Sequence, residues 1–359
     1  MGQWDTGPAG SHQFRHPPTW RGLHQPDPEP APEGFALRQW IKRHLPSSLV
    51  GLIVGTRVLL RRSFILATHK VLGLAGLNIV RRGDYYSTLP RLDELARNKD
   101  RWNKPSALAG IRYDPESMRS LLFELHSRWN DDFERTAGEY AANQQRGFGP
   151  GYPKFDARIL YYLLREWKPR RYLEIGSGLS TFYASLAAGK NAENGSTLRM
   201  TCVEPFPYGA LRTIPNIEIR QDFAQNVPLT EFETLEAGDV LFIDSSHALK
   251  IDSDVSWLLL EVLPRLKSGV YVHIHDIPFP YNVPFPASKW IFGDRWPVYW
   301  NEAMAVQAFL AFNSAYEIVL SAPMLRHLDE SGLQSRFSDY VPLDREEDPF
   351  SALWIRRIS

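Results

Sequence analysis

Ten residues near the middle of the chain, Tyr172-Leu-Glu-Ile-Gly-Ser-Gly-Leu-Ser-Thr181, restrict its fold more than any other stretch. Arg171 to Leu173 and Ile175 favour a strand, interrupted by the acid Glu174. They run into Gly176-Ser177-Gly178 and then into a helix-like segment from Thr181 to Ala188. Strand, glycine turn and helix start in direct succession predict one βα unit of an α/β protein. Glycine lets the backbone approach a ligand where a side chain would collide, and the following helix offers unpaired N–H groups. A small polar ligand can dock there, which makes Glu174, Gly176, Gly178, Ser180 and Thr181 candidate binding residues.

Two ligand classes use such a turn. The dinucleotide fingerprint G-x-G-x-x-G or Ala needs a third small residue for close helix packing beneath a pyrophosphate, and Thr181 stands in that place. Glu174, two residues before the first glycine, would repel a pyrophosphate but can accept hydrogen bonds from an ammonium group. A cationic ligand is favoured. These residues resemble the first motif of the class I S-adenosylmethionine-dependent methyltransferases, acid-x-Gly-x-Gly. The resemblance implies that the loop holds the methionine end of the cofactor.

Beyond the turn, short β-branched runs alternate with helical segments. Strands are expected near 199–204, 217–220, 239–243 and 269–275, and helices around 180–190, 207–213 and 252–267. Before it, Asp156 to Trp167 is apolar at helical spacing. Tyr316 to Leu320 and Leu353 to Ile358 read as two further strands, joined by a long polar segment without a helical pattern, and an antiparallel edge pair fits them. The expected architecture is a doubly wound, mostly parallel seven-stranded sheet, Rossmann-like, with that edge pair and an N-terminal helical extension.

Acids recur at the strand ends. Glu204 closes Arg199-Met-Thr-Cys-Val-Glu, where a carboxylate can accept both vicinal hydroxyls of a ribose. Asp222 follows Ile217-Glu-Ile-Arg-Gln221, where an adenine amino group can be received, with Phe223 available to stack. Asp239-Val-Leu-Phe-Ile-Asp244-Ser-Ser-His247 ends the next strand with D-x-x-H, and Gly269-Val-Tyr-Val-His273-Ile-His275-Asp276 ends its neighbour with H-x-H-D. In a parallel sheet these ends lie side by side at the ligand crevice. Asp, His and water suit Mg, Mn, Zn or Fe, so ligand type alone does not name a metal. Strand alternation puts His273 and His275 on one face, with His273 expected as a buried, satisfied core histidine.

With these motifs in order, the resemblance to class I methyltransferases covers about 153–359. Within the class the tail is similar to the branch of macrolide-sugar and catechol-type O-methyltransferases and to a group of uncharacterised bacterial methyltransferases. In that branch a strand-end Asp and a following carboxylate pair hold Mg2+, and a nearby base takes the substrate proton. The resemblance implies Asp244 and Asp276 as catalytic and metal-binding residues, with Asp244 also at the cofactor, and His247 as general base. His275 stands where the pattern has a second acid and joins the expected metal set. Tyr281, Asn301 and Glu302 are expected at the substrate, and the aromatic stretch from Trp290 to Trp300 can line its pocket. In a competing reading His247 only caps a helix beginning around Ala248.

Composition bounds the remainder. The 359 residues are 43% hydrophobic, and 41 basic residues balance 41 acidic ones at a pI near 7.2, so no global field points to nucleic acid. Cys202 is the single cysteine. With no apolar leader core after the polar start, a cytoplasmic protein is expected, peripheral at most to the inner membrane surface. Residues 1–34, rich in proline and carrying His12, His16 and His24, are expected to be disordered. Residues 35–82 are basic, apolar and free of acids, expected as an amphipathic helical region that suits an anionic membrane surface, a partner or a second copy of the chain. Residues 83–152 read as a helical cap, with Gly147 to Pro153 as a boundary or flap, and 153–359 as the methyltransferase domain. The function expected is S-adenosylmethionine-dependent O-methylation of a small sugar or phenolic acceptor. Two alternatives are a nicotinamide-dependent oxidoreductase and a non-catalytic, membrane-associated protein whose crevice binds nothing.

Overall fold

The computed structural model of the chain describes residues 46–77, 86–149, 151–294, 296–345 and 349–359. The proline-rich tail with its three histidines, the two ends of the basic segment and the first residues of the cap region, 83–85, lie outside the described residues. Two compact units meet in sequence between Ser87 and Thr88.

The first unit contributes one long helix, α1 (Ser47–Gly73). It carries Arg57, Arg61, Arg62 and Lys70 and no acid. Leu52, Val58, Leu59, Phe64 and Leu66 are exposed. At the helical repeat of about 3.6 residues these cations are distributed around the axis, so α1 is not segregated into a polar and an apolar face as expected. No helix among the described residues is long and apolar enough to cross a membrane.

The second unit is built on one sheet. Its strands are β1 (Arg171–Ile175), β2 (Arg199–Val203), β3 (Ile217–Arg220), β4 (Val240–Ile243), β5 (Tyr271–Ile274), β6 (Tyr316–Ser321) and β7 (Leu353–Arg357). Their order is β3-β2-β1-β4-β5-β7-β6. β1 to β5 run parallel, and β7 lies antiparallel between β5 and β6. β4 is buried at all four positions, as its Val-Leu-Phe-Ile sequence requires of a strand covered on both faces. Strand order reverses between β1 and β4, and a crevice opens beyond the carboxyl ends of strands at such a switch point.

Helices α2 (Pro115–Ala137), α3 (Lys154–Trp167) and α4 (Leu179–Glu193) pack on one another, and α2 also meets β6. Phe133 joins them, 5.4 Å from the Tyr161 ring and 6.0 Å from that of Tyr183. α2 starts as its sequence suggests, with the Asp114 carboxylate accepting from Glu116 N (3.1 Å) and proline in the first turn. Gly147 to Pro153 is not a loose flap where it is described: Phe148 is buried and stacks on Phe182 at 5.0 Å, and Tyr152 is buried beside Phe242.

Three local expectations are corrected. The helix expected over 252–267 is segmented into α5 (Asp254–Trp257), a π turn at Leu258–Val262 and a 3-10 turn at Leu263–Arg265. Pro264 lacks an N–H and crowds the carbonyl four residues earlier, which disrupts the regular ladder. The helix at 207–213 is a 3-10 turn, Gly209–Thr213. The polar stretch between the last two strands holds a helix, α7 (Ala322–Arg336), beyond α6 (Glu302–Leu310). Asp329 leaves helical geometry in its middle, and its carboxylate accepts from Ser331 Oγ and Gly332 N. α7 is therefore two short pieces about a capped kink, which is why Asp-Glu-Ser-Gly reads as a loop.

Candidate active site

The glycine turn is held from inside. Glu174 is fully buried, and its carboxylate accepts from Ser180 Oγ (2.6 Å), Thr181 Oγ1 (2.8 Å) and Cys202 Sγ (3.3 Å). Burial pushes this carboxyl up to about 7, against the pull of those three donors. Glu174, Ser180 and Thr181 thus satisfy one another and shape the turn, and none of them lines the crevice. At Gly176, with φ +85°, an added β-carbon would stand 1.9 Å from the Asp244 carbonyl oxygen. At Gly178 it would stand 2.8 Å from that of Phe148. Both glycines admit neighbouring backbone.

Beyond the turn a cavity of about 410 Å³ is lined by Gly176, Glu204, Phe206, Phe223, Asp244 and Ser245 among others. Glu204 accepts from Phe206 N (2.8 Å), and burial raises its carboxyl. Asp222 turns back on its own loop, accepting from Phe223 N and Asn226 Nδ2, and does not line the cavity, whereas the half-exposed Phe223 ring does. Ser177 Oγ and Ser245 Oγ are buried without hydrogen-bond partners, so polar atoms stand at this place ready for a polar ligand.

Beside the cavity, β4 and β5 bring Asp244, His247, His275 and Asp276 together. His247 Nδ1 pairs with Glu302 Oε2 at 2.8 Å, and Nε2 lies 3.3 Å from both Asp244 Oδ1 and Asp276 Oδ2. Both ring nitrogens are therefore engaged. His275 Nε2 pairs with Asp156 Oδ2 at 3.2 Å, while Nδ1 faces Asp244 and Asp276. Burial opposes the charge on both rings, but the carboxylates around them outweigh it and raise both well above 6.5. The same rings hold Asp244 far below the carboxylate range in spite of its burial. Burial raises Glu302, opposed by His247. His247 and Asp276 both sit in the left-handed region, at φ +56° and +54°. This uncommon backbone turns two strand-end side chains toward one another.

Several expected roles change. No helix starts at Ala248; the next one begins at Asp254 and is capped by Ser253, which accepts from Ser256 N. Asn301 and Glu302 hold the His247 loop: Asn301 pairs by its amide with the Leu249 backbone, and both backbone N–H groups donate to the His247 carbonyl at 3.2 Å. Tyr281 stacks on Phe285 at 4.0 Å. Trp300 packs 4.5 Å from the His247 ring. His273 is buried as expected but not satisfied, since neither ring nitrogen has a partner; Phe242 and Trp354 lie against it. Burial holds it neutral.

Asp156 and Ser351 were not foreseen. Asp156, fully buried in the first turn of α3, accepts from Ser351 N (2.8 Å) and Ala352 N (3.3 Å) besides meeting His275. Ser351 Oγ donates to Asp276 Oδ1 at 2.8 Å. An acid in a first helical turn is ordinary in a sequence, and nothing local marks this one as part of a site.

Residues 173–277 match the model of a family described as a methyltransferase domain. An uncharacterized protein of Archaeoglobus fulgidus is 27% identical over 163 residues, which is 43% of this chain and 72% of that protein. Among solved structures, the O-methyltransferase TomG of Streptomyces achromogenes, in complex with SAM, is 14% identical, with 69% of this chain and 92% of that one covered at a TM-score of 0.36. The SAH-bound methyltransferase PaMTH1 of Podospora anserina is 16% identical, with 76% and 99% covered at a TM-score of 0.35. The matched interval opens in β1 and closes just after β5, taking in the glycine turn, the crevice acids and the Asp/His centre. Residues 173–277 are thus similar to a methyltransferase domain, within the seven-stranded sheet described above.

Proposed function

We propose that the chain transfers a methyl group from S-adenosylmethionine to an oxygen of a small hydroxylated acceptor, a sugar or a phenol. The observation that carries this reading is the shared position of Asp244, whose backbone abuts the glycine turn while its carboxylate belongs to the Asp/His centre. A cofactor in the cavity and an acceptor at the centre are then immediate neighbours. When bound, S-adenosylmethionine supplies an electrophilic methyl on a sulfonium. Glu204 receives the ribose hydroxyls, Phe223 offers a stacking face for the adenine, and Ser177 and Ser245 find partners for their orphaned hydroxyls. Asp244 and Asp276, each with about a quarter of its side chain exposed (27%), turn the acceptor oxygen toward the methyl, and the Asp276 carboxylate takes the hydroxyl proton as the new O–CH3 bond forms and the S–CH3 bond breaks. In-line alignment of this kind is worth on the order of 7 kcal/mol.

Calorimetric titration with S-adenosylmethionine tests the reading. Glu204→Ala removes charge-assisted hydrogen bonds of about 1.5–3 kcal/mol each, and affinity is expected to fall tenfold or more. Absence of binding by the unaltered protein, or an unchanged affinity in the variant, defeats the assignment. Transfer of labelled methyl groups to sugar and catechol panels then identifies the acceptor class.

A further inference from the structure

A second cavity, of about 330 Å³, lies apart from the crevice and shares no lining residue with it. One short connection accounts for it. Parallel strands are ordinarily joined by a helix that covers the sheet between them, and α4 does so between β1 and β2. Between β2 and β3 the chain has only the 3-10 turn Gly209–Thr213, which leaves a hollow on the sheet face beside α4. Its floor is apolar and buried, formed by Phe148, Phe182, Leu198, Met200 and Ile214. Arg146 stands at the mouth. Its guanidinium lies 4.5 Å from the Phe182 ring centroid and 5.8 Å from that of Phe148. Among the described residues no carboxylate pairs with it, and the cavity wall carries no acid. A guanidinium over an aromatic face is held by that contact while its N–H groups stay free to donate.

We propose that this cavity binds a small molecule with an apolar body and a single carboxylate, the buried rings taking the body and Arg146 the carboxylate. Small-molecule sites are concave and mostly apolar, with volumes of about 300–1,000 Å³ and a few polar groups that fix orientation. This one stands at the lower end of that range and suits a compact ligand. Ser185 Oγ and Thr213 Oγ1 donate to the carbonyls of Phe182 and Ala210, each at 2.7 Å. These lining hydroxyls are satisfied within their own turns, so the wall offers apolar contact and the charge stands at the mouth. A guanidinium presents paired N–H groups that match the two oxygens of a carboxylate in charge-assisted hydrogen bonds. One cation with no counter-charge in the wall matches a head group carrying one negative charge.

The site is independent of the methyl-transfer reading, and its test needs no cofactor. Full-length protein is titrated by calorimetry with naphthoate and octanoate, and with naphthamide and octanamide as their uncharged counterparts. At least one acid is expected to bind as a single equivalent, about tenfold or more tightly than its amide. Methionine methyl groups, isotope-labelled for nuclear magnetic resonance, locate the acid without any variant: the Met200 signal on the cavity floor should shift, and that of Met118, buried in α2, should not. Arg146→Gln should bring the acid to the affinity of the amide. A β-carbon at Gly189, which lines the cavity from α4, would meet nothing within 4 Å, and leucine favours a helix more than glycine does. Gly189→Leu should therefore fold at least as stably, place its side chain in the mouth and abolish binding. Equal affinity for acid and amide, an unmoved Met200 signal, binding that survives Gly189→Leu, or no saturable binding of either acid overturns the proposal.

Discussion

Replacing Glu174 by Gln should change how stability depends on pH, and the size of the change follows from burial. The carboxyl lies near 4.5 in an exposed chain and at about 7 in the fold, chiefly because burial penalises its charge. Between these values the folded protein keeps a proton that the unfolded chain has lost, so the free energy of unfolding falls as pH rises. The contribution is fully present below pH 4.5 and is gone above about pH 7, a span of about 3 kcal/mol. Gln has no proton to lose, while its amide can still hydrogen-bond to Ser180 and Thr181. Urea denaturation of both proteins at pH 5 and pH 8 isolates the effect, since other titrating groups cancel in the comparison. The variant should gain about 2.5 kcal/mol relative to the unaltered protein on going from pH 5 to pH 8. An equal difference at the two pH values would refute a raised carboxyl at this turn.

Two further outcomes are expected. Ser321 caps α7 by accepting from Met324 N, and Ser321→Ala should cost about 1 kcal/mol in urea denaturation; an unchanged midpoint would mean that the cap does not support the helix. We also propose that α1, with four cations, no acid and exposed apolar side chains, contacts an anionic lipid surface. The intact chain should then co-sediment with phosphatidylserine vesicles at low salt and dissociate at high salt. A chain lacking residues 1–87 should not sediment, and failure of the intact chain to do so refutes the lipid contact.

The sheet is legible because its strands are short apolar runs, of which β1, β2 and β4 are followed directly by Gly176, Glu204 and Asp244, and strand ends at a parallel switch point converge whatever lies between them. That logic located Gly176, Glu204, Asp244, His247, His275 and Asp276 within one region. It did not separate side chains that face a ligand from those that face the protein. Glu174 and Glu204 both sit at strand ends, yet one is consumed by its own turn and the other opens to the cavity, a distinction set by the direction of one side chain. Asn301 and Glu302 read as substrate residues beside Trp300, but their hold on the His247 loop spans some fifty residues of sequence and has no local signature. Asp156 was hidden for the same reason. α7 was missed because its kink carries the residues of a turn.

The contact between Gly176 and the Asp244 carbonyl leaves no room for even one more carbon atom. The first half of the site, the turn, and the second half, the Asp/His centre, therefore meet through rigid backbone at one point. Where an occupant of one half shifts the other, linkage requires the effect to be mutual: an occupant of the cavity that tightens the centre is itself tightened by the same factor when the centre is filled. Paired titrations of each ligand in the presence and absence of the other measure that factor, and a value of one would mean the halves bind independently.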